Sequence, residues 1–238
     1  MNSPRLQPFG DSALLVTFGT TMEVALNAQV HALAAALRDQ GGQEPGWAVP
    51  VPGYNSLLVP YDPEQLTYPQ VLDLVETTLA EMADAKTAEG AATNDLTLRS
   101  AHLTPEGNAE SPLEIPVRYG GAGGPDLADV AERAGLTEAA VVALHSGTLY
   151  LVFMLGFAPG FAYLGPLPAP LMLPRRATPR PRVPAGSVAI AGGQTGIYPL
   201  ATPGGWHLIG HTDAPLWEVG RDPPALLRPG AWVRFVPV

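Results

Sequence analysis

The chain has 238 residues, 46% of them apolar and 15% charged, a balance that supplies one large core or two ordinary ones and excludes disorder over its whole length. Its net charge of −9 argues against nucleic acid as a partner, because phosphate backbones are bound by basic surfaces. No apolar run reaches the length of a membrane span, Met1-Asn2-Ser3-Pro4-Arg5 lacks the apolar core of a secretory signal, and the absence of cysteine excludes disulfides and thiolate chemistry, so a cytoplasmic protein is expected.

Ala13–Phe18 is an expected strand. Leu26, Val30, Leu33 and Leu37 then recur at helical spacing and stop at Gly41-Gly42. Trp47–Val51 and Ser56–Tyr61 are short apolar runs around the turn-forming Pro52-Gly53-Tyr54-Asn55, which predicts paired strands. Thr67, Pro69 and Gln70 form a helix start with a capping box, and Val71, Val75, Leu79 and Met82 mark the buried face of that helix. Residues 1–85 are therefore expected to form a two-layer α+β domain. Between 86 and 112 the pattern fails, and a linker or excursion is expected, with a short strand at Leu96–Leu98.

Leu113–Tyr119 opens the second domain as a strand and leads into Gly120-Gly121-Ala122-Gly123-Gly124. Asp126–Ala134 and Glu138–Ser146 are two short helices, the second capped by Thr137 and stopped by Gly147. Thr148–Leu155 is a strand. Seven prolines between Pro166 and Pro184 exclude helix and central strand, so a rigid extended surface loop is expected there. Val183–Ala191, Gly196–Leu200, Trp206–His211 and Trp232–Val238 are further short strands, and together they point to a closed or nearly closed barrel over 113–238.

Charge is distributed unevenly. Residues 1–138 carry 19 acids against 6 bases, whereas residues 139–212 carry no acid and four arginines, Arg175, Arg176, Arg180 and Arg182. A packed β region explains the missing carboxylates, but four guanidinium forks within eight residues equally suit an anion site. Two glycine clusters, Gly192-Gly193-Gln194-Thr195-Gly196 and Thr202-Pro203-Gly204-Gly205-Trp206, let backbone approach a ligand closely, with Gln194, Thr195, Tyr198 and Trp206 as directed contacts; two tight barrel turns are the plainer explanation. Gly120–Gly124 between strand and helix is able to cradle a phosphate, but its spacing does not meet G-x-G-x-x-G and a plain turn is preferred. There is no Walker A loop and no G-x-S-x-G elbow. His207 and His211 share a strand face without an evident third ligand, so no metal site is expected.

The motifs Tyr119-Gly120-Gly121, Gly124-Pro125-Asp126-Leu127, Leu155-Gly156-Phe157, Pro159-Gly160-Phe161, Pro174-Arg175-Arg176-Ala177-Thr178-Pro179-Arg180, Gln194-Thr195-Gly196-Ile197-Tyr198-Pro199 and Pro203-Gly204-Gly205-Trp206 occur consecutively and in order. With Gly10-Asp11-Ser12-Ala13-Leu14 and Pro52-Gly53-Tyr54-Asn55-Ser56, they resemble the family that includes the 5-oxoprolinase B subunit, the sporulation-kinase inhibitor KipI and allophanate hydrolase subunit 1. The resemblance implies a small α+β domain joined to a cyclophilin-like barrel. It also implies ATP-dependent opening of 5-oxoproline to glutamate, with two partners, the KipA-type C subunit of 5-oxoprolinase and its LamB/YcsF-type A subunit. Other branches imply inhibition of a sensor histidine kinase, or the carboxyltransferase half of a biotin-dependent urea carboxylase.

The lactam reaction presents a carboxylate and a phosphate near a developing oxyanion. Arg175, Arg176, Arg180 and Arg182 are expected to hold such anions, while Gln194, Thr195, Gly196, Gly204, Gly205 and Trp206 surround the lactam. His145, Tyr198 and His207 are the candidates for proton transfer. The acid-free stretch provides no ligand for the Mg²⁺ of ATP, so a partner subunit is expected to supply it and the isolated chain to be inactive.

Overall fold

The computed structural model describes residues 3–41, 45–89 and 109–238. The chain divides into two compact units, Met1–Thr104 and Pro105–Val238. The short strand expected at Leu96–Leu98 and most of the 86–112 excursion lie outside the described residues.

The first unit runs β1 (Arg5–Pro8), β2 (Ala13–Thr17), α1 (Val24–Gly41), β3 (Val51–Pro52), β4 (Ser56–Pro60) and α2 (Tyr68–Glu89). Its strands form one antiparallel sheet in the order β1-β2-β4-β3. Period-two alternation turns Leu14, Val16, Leu57 and Val59 to one face, where they are fully buried with Val30, Leu33 and Leu37 of α1 and Val71 and Val75 of α2. Each such side chain contributes roughly 1.5–3 kcal/mol by leaving water, so this face fixes the two-layer arrangement. The Gln70 half of the capping box is made, the Thr67 amide donating to Gln70 Oε1 at 2.9 Å, while the Thr67 hydroxyl donates to the same oxygen at 2.7 Å. The strand expected at Trp47–Val51 shrinks to β3 and an isolated bridge between Trp47 and Tyr61. Pro50 and Pro52 have no N–H with which to continue a ladder.

The second unit begins with β5 (Leu113–Tyr119), α3 (Leu127–Ala134), α4 (Glu138–Ser146), β6 (Leu149–Leu155) and β7 (Ala162–Gly165). It continues with a 3₁₀ turn (Ala169–Leu171), β8 (Arg180–Val183), β9 (Ser187–Ala191), β10 (Gln194–Ile197), β11 (Thr202–Gly204), β12 (His207–His211) and β13 (Trp232–Pro237). Seven strands close a barrel in the order β10-β7-β6-β13-β5-β12-β9, with β13 parallel to β5. Ile115, Val117, Val152, Val188, Ile190, Ile197, Val233 and Phe235 are among its buried core residues. The expected cap of α4 is made, with Ala140 N donating to Thr137 Oγ1.

The proline-rich segment is mostly extended, as its composition requires, but it is not all loop. Arg180–Val183 pairs with β11 as a separate two-stranded ribbon, the edge position in which a strand tolerates proline. A second, smaller core of Phe161, Val183, Ala189, Ala191, Tyr198, Trp206 and Leu208 includes residues of this ribbon and of β9. No helix among the described residues is long and apolar enough to cross a membrane.

Candidate functional site

The four arginines of the acid-free stretch do not act as one cluster. Gly120 N–H bonds Ile209 O, and Asp126 N–H bonds Leu208 O, so the turn after β5 is tied to β12. Gly124 fits there because a Cβ would overlap Ile209 O. This tie carries Asp126, at the start of α3, beneath the proline-rich segment. Its carboxylate accepts from Arg176 Nη1 (2.8 Å), Arg180 Nη1 and Nη2 (2.8 and 2.7 Å) and the Leu208 amide (2.7 Å). Burial acts to raise the carboxyl's pKa, but the Arg180 hydrogen bonds, the Leu208 amide and the charges of Arg180 and Arg176 outweigh it, and the group stays below its ordinary range. Two guanidinium groups are thus consumed by a carboxylate 50 and 54 residues upstream, a contact that local charge counting does not register. Of the four arginines expected to hold an external anion, Arg176 and Arg180 are thus paired with Asp126 and hold the ribbon.

Arg175 and Arg182 are exposed and form no ion pair among the described residues. The backbone around Arg175 is bracketed by two hydrogen bonds, His207 Nε2 to Pro174 O (2.9 Å) and Arg176 N to Gly205 O (2.8 Å). A third, Gly192 N to Leu173 O (2.6 Å), pins the first glycine cluster to the same segment, so Arg175 and Gln194 each lie two residues from a shared tie. The positive charge of Arg175 reaches the phenols of both Tyr163 and Tyr198, although burial, the larger effect, raises the pKa of each. Both remain protonated at neutral pH.

Alternation on β10 sorts the predicted residues. Gln194 and Gly196 share one face, and Thr195 and Ile197 the other. On the first face Phe161 stacks edge-on against Tyr163 (4.9 Å between centroids), Tyr198 (5.3 Å) and Trp206 (5.7 Å). Glycine is needed at 196 because a Cβ would lie 3.0 Å from Ala162 O, 3.1 Å from Phe161 Cζ and 3.2 Å from Trp206 Cζ3. At 204 a Cβ would overlap the Tyr198 hydroxyl, while Gly205 sits over Pro179. The aromatic floor with Gln194 and Arg175 beside it is the candidate substrate face. Phe161 and Tyr163 belong to it and are additions to the sequence reading; their spacing of two, just before and on β7, was the available signal.

The opposite face removes two predicted residues from solvent. Thr195 and His145 are fully buried. The Thr195 hydroxyl donates to Ala189 O (3.1 Å), leaving its lone pair to accept from His145 Nε2–H (2.8 Å), so Nδ1 accepts from the Tyr119 hydroxyl (2.7 Å). The ring also stacks on Phe235 at 4.6 Å. Burial pushes its pKa down to about 3. Both ring nitrogens are thus committed inside the core, and His145 is neutral there. Tyr198 and His207 are buried too, at 2% exposure each. His207 serves as the donor to Pro174 O, and its Nδ1, 3.7 Å from Asp129 Oδ2, has no hydrogen-bond partner.

A concavity of about 610 Å³, apart from the aromatic face, is lined by Arg118, Gly120, Gly123, Arg182, Ser187 and His211 among others. No group of three or more His, Asp or Glu able to hold a metal ion occurs among the described residues.

A two-layer α+β unit followed by a closed barrel with an edge ribbon is the architecture of a carboxyltransferase-type protein, and the family described as "Carboxyltransferase domain, subdomain C and D" matches residues 4–227. More narrowly, the chain belongs to the 5-oxoprolinase B-subunit family. It is 44% identical to the 5-oxoprolinase B subunit of Escherichia coli O157:H7, over all of this chain and 97% of that one. It is 39% identical to the protein of the same name from Bacillus subtilis (strain 168), over 98% and 92%. The crystal structure of TTHA0988 superposes with a TM-score of 0.75 at 38% identity, covering 95% of this chain, which spans only 39% of that longer one.

Proposed function

We propose that this chain is the B subunit of an ATP-dependent 5-oxoprolinase, which opens 5-oxoproline to L-glutamate in the cytoplasm together with the KipA-type C subunit of that enzyme and its LamB/YcsF-type A subunit. The observation that carries this reading is the end-to-end likeness to two proteins named as the B subunit of 5-oxoprolinase, at 44% and 39% identity. Lactam resonance makes the ring carbonyl a poor electrophile, and phosphorylation of the amide oxygen by ATP, releasing ADP, activates it: water adds to the carbon, the C–N bond breaks as the nitrogen takes up a proton, and the resulting acyl phosphate is hydrolysed to glutamate and inorganic phosphate. In this reading Arg175 holds the substrate carboxylate by its exposed guanidinium. Gln194 hydrogen-bonds the lactam edge, and the wall of Phe161, Tyr163 and Trp206 keeps water from the ring face. No cluster of three or more His, Asp or Glu able to hold a metal ion occurs among the described residues, and the ligands for the metal of Mg·ATP are assigned to a partner subunit.

In this scheme the general base is also assigned to a partner, because His145 is sealed in the core, Tyr198 is a protonated phenol beneath Gly204, and His207 is 2% exposed with its Nε2 on Pro174 O.

The test is ATP-dependent glutamate release by the co-expressed assembly of all three components. R175A and Q194A are each expected to lower it at least tenfold with an unchanged melting temperature, whereas wild-type turnover in both variants removes the site. The carboxyltransferase family match favours one rival, a module that receives a carboxyl group from a biotinylated carrier. Saturable binding of such a carrier, without glutamate release, selects that rival.

A further inference from the structure

The turn that delivers Asp126 to the arginines also forms one wall of the 610 Å³ cavity. That volume lies within the range of small-molecule sites. Its other walls are Arg118 on β5, Arg180 and Arg182 on β8, Ser187 on β9, and Leu208 and His211 on β12, and no carboxylate lines it. Three features there are not accounted for by folding. The Arg182 guanidinium is exposed and makes no ion pair or hydrogen bond among the described residues. Ser187 is 2% exposed and lines the cavity, and its hydroxyl has no partner among the described residues but is not sealed from solvent, so it remains available to a ligand there. The amides of Gly121, Ala122 and Gly123 likewise make no hydrogen bond among the described residues, while their neighbours Gly120 and Gly124 do.

The local charge is positive within an acidic protein. Of the arginines lining the cavity, Arg118 is paired with Asp213 and Arg180 with Asp126, while Arg182 has no acid partner among the described residues; the Glu138 carboxylate stands on the far side of the turn, near Gly120. Asp126 is spent on Arg176 and Arg180. Asp213 holds Arg118 at 2.8 and 3.1 Å and lies 3.3 Å from His211 Nε2, but it is 72% exposed, so a pair of this kind is weak and exchangeable. Gly186 gives the His211 ring its room, since a Cβ there would lie 2.6 Å from Cε1. A guanidinium fork, a hydroxyl and unpaired backbone amides lining one cavity suit a ligand with several oxygens in tetrahedral array better than a planar carboxylate.

We propose that this cavity is a binding site for the phosphate group of a small phosphorylated molecule, held by Arg182, Ser187 and the amides of Ala122 and Gly123. The site lies outside the residues assigned to the lactam and does not rest on the 5-oxoprolinase reading. Calorimetric titration of the full chain with inorganic phosphate and pyrophosphate, at constant ionic strength and with acetate as the carboxylate control, tests it. Saturable one-to-one binding of pyrophosphate is expected, weakened at least tenfold in both R182A and S187A, unchanged in R175A, and with acetate silent. S187A removes one oxygen and keeps the interpretation available if R182A disturbs the ribbon. Absence of saturable binding, parental affinity in S187A and R182A, equal loss in R175A, or equal binding of acetate each overturns the proposal. None of these outcomes depends on glutamate release by the assembled enzyme, so the two readings fail separately.

Discussion

Replacing Asp126 by Asn removes one negative charge from beneath two guanidinium groups while keeping a carbonyl oxygen for the Leu208 amide. The carboxylate side chain is 6% exposed, against 31% for Arg176 and 23% for Arg180. Breaking a buried pair by deleting one partner costs about 3–5 kcal/mol. Here the arginines keep some access to water and the Asn amide keeps one acceptor, which lowers the figure to roughly 2–3 kcal/mol. For a unit of this size each kcal/mol moves the midpoint by about 2–4 °C, so D126N should melt roughly 5–10 °C below the parent. Thermal unfolding followed by near-ultraviolet circular dichroism reads this directly. Losses in D126N and R180M should not add, because each removes the same interaction, and a double-mutant cycle should give a coupling of ~1 kcal/mol or more. The pH dependence has a definite sign. The folded pKa of Asp126 is depressed, so its stabilisation is complete above the unfolded value near ~3.9 and is lost as pH falls through the lower folded value. The gap between parent and D126N should therefore stay constant from pH 7 to 5 and close below about pH 4. A D126N midpoint within a degree of the parent, or additive losses with R180M, would refute the argument that this carboxylate anchors the ribbon.

Further outcomes follow from the same geometry. His145, with a folded pKa of about 3 set by burial, should show no titration of its ring resonances between pH 8 and 5. Because the unfolded imidazole takes its proton near ~6.5, stability should fall by up to about 1.4 kcal/mol per pH unit from that value downward, and a resonance assigned to His145, by its loss in H145Q, that titrates near 6.5 in the folded protein contradicts the core assignment. G204A forces a methyl group into the buried Tyr198 ring, and an overpacking cost of about 1–3 kcal/mol should appear as a lowered midpoint with an altered near-ultraviolet spectrum. G121A, where nothing lies within 4 Å, should cost only the strain of its φ of +56°; equal midpoints for G204A and parent would contradict the packing described.

The sequence reveals the periodic elements well. β5 alternates strictly, and α4 carries Thr137 and Gly147 at its ends, so local chemistry and fold agree. β1, β7 and β11 escaped it because each is only three or four residues long, and β11 is Thr202-Pro203-Gly204, whose proline and glycine disfavour strand when taken alone. The site was half legible. Counting charges along the chain located the arginines, but their partner arrives from the turn before α3, and only the fold shows that Arg175 and Arg182 are the pair left over. Alternation on β10 was enough to send Thr195 inward and Gln194 outward, once Ile197 is recognised as core. His145 is different: a polar side chain at the end of α4 gives no local sign that Tyr119 and Thr195, from two barrel strands, close around both its nitrogens. Ser187 was equally silent, a small residue at the start of a strand.

The most direct measurement is glutamate formed per ATP consumed from 5-oxoproline, by the purified chain alone and after assembly with the LamB/YcsF-type and KipA-type partners. Membership in the B-subunit family with a lactam site completed by partners predicts no turnover by the single chain and ATP-coupled glutamate release by the assembly. Turnover by the single chain, or an assembly that forms yet leaves 5-oxoproline intact in the presence of Mg·ATP, would contradict it.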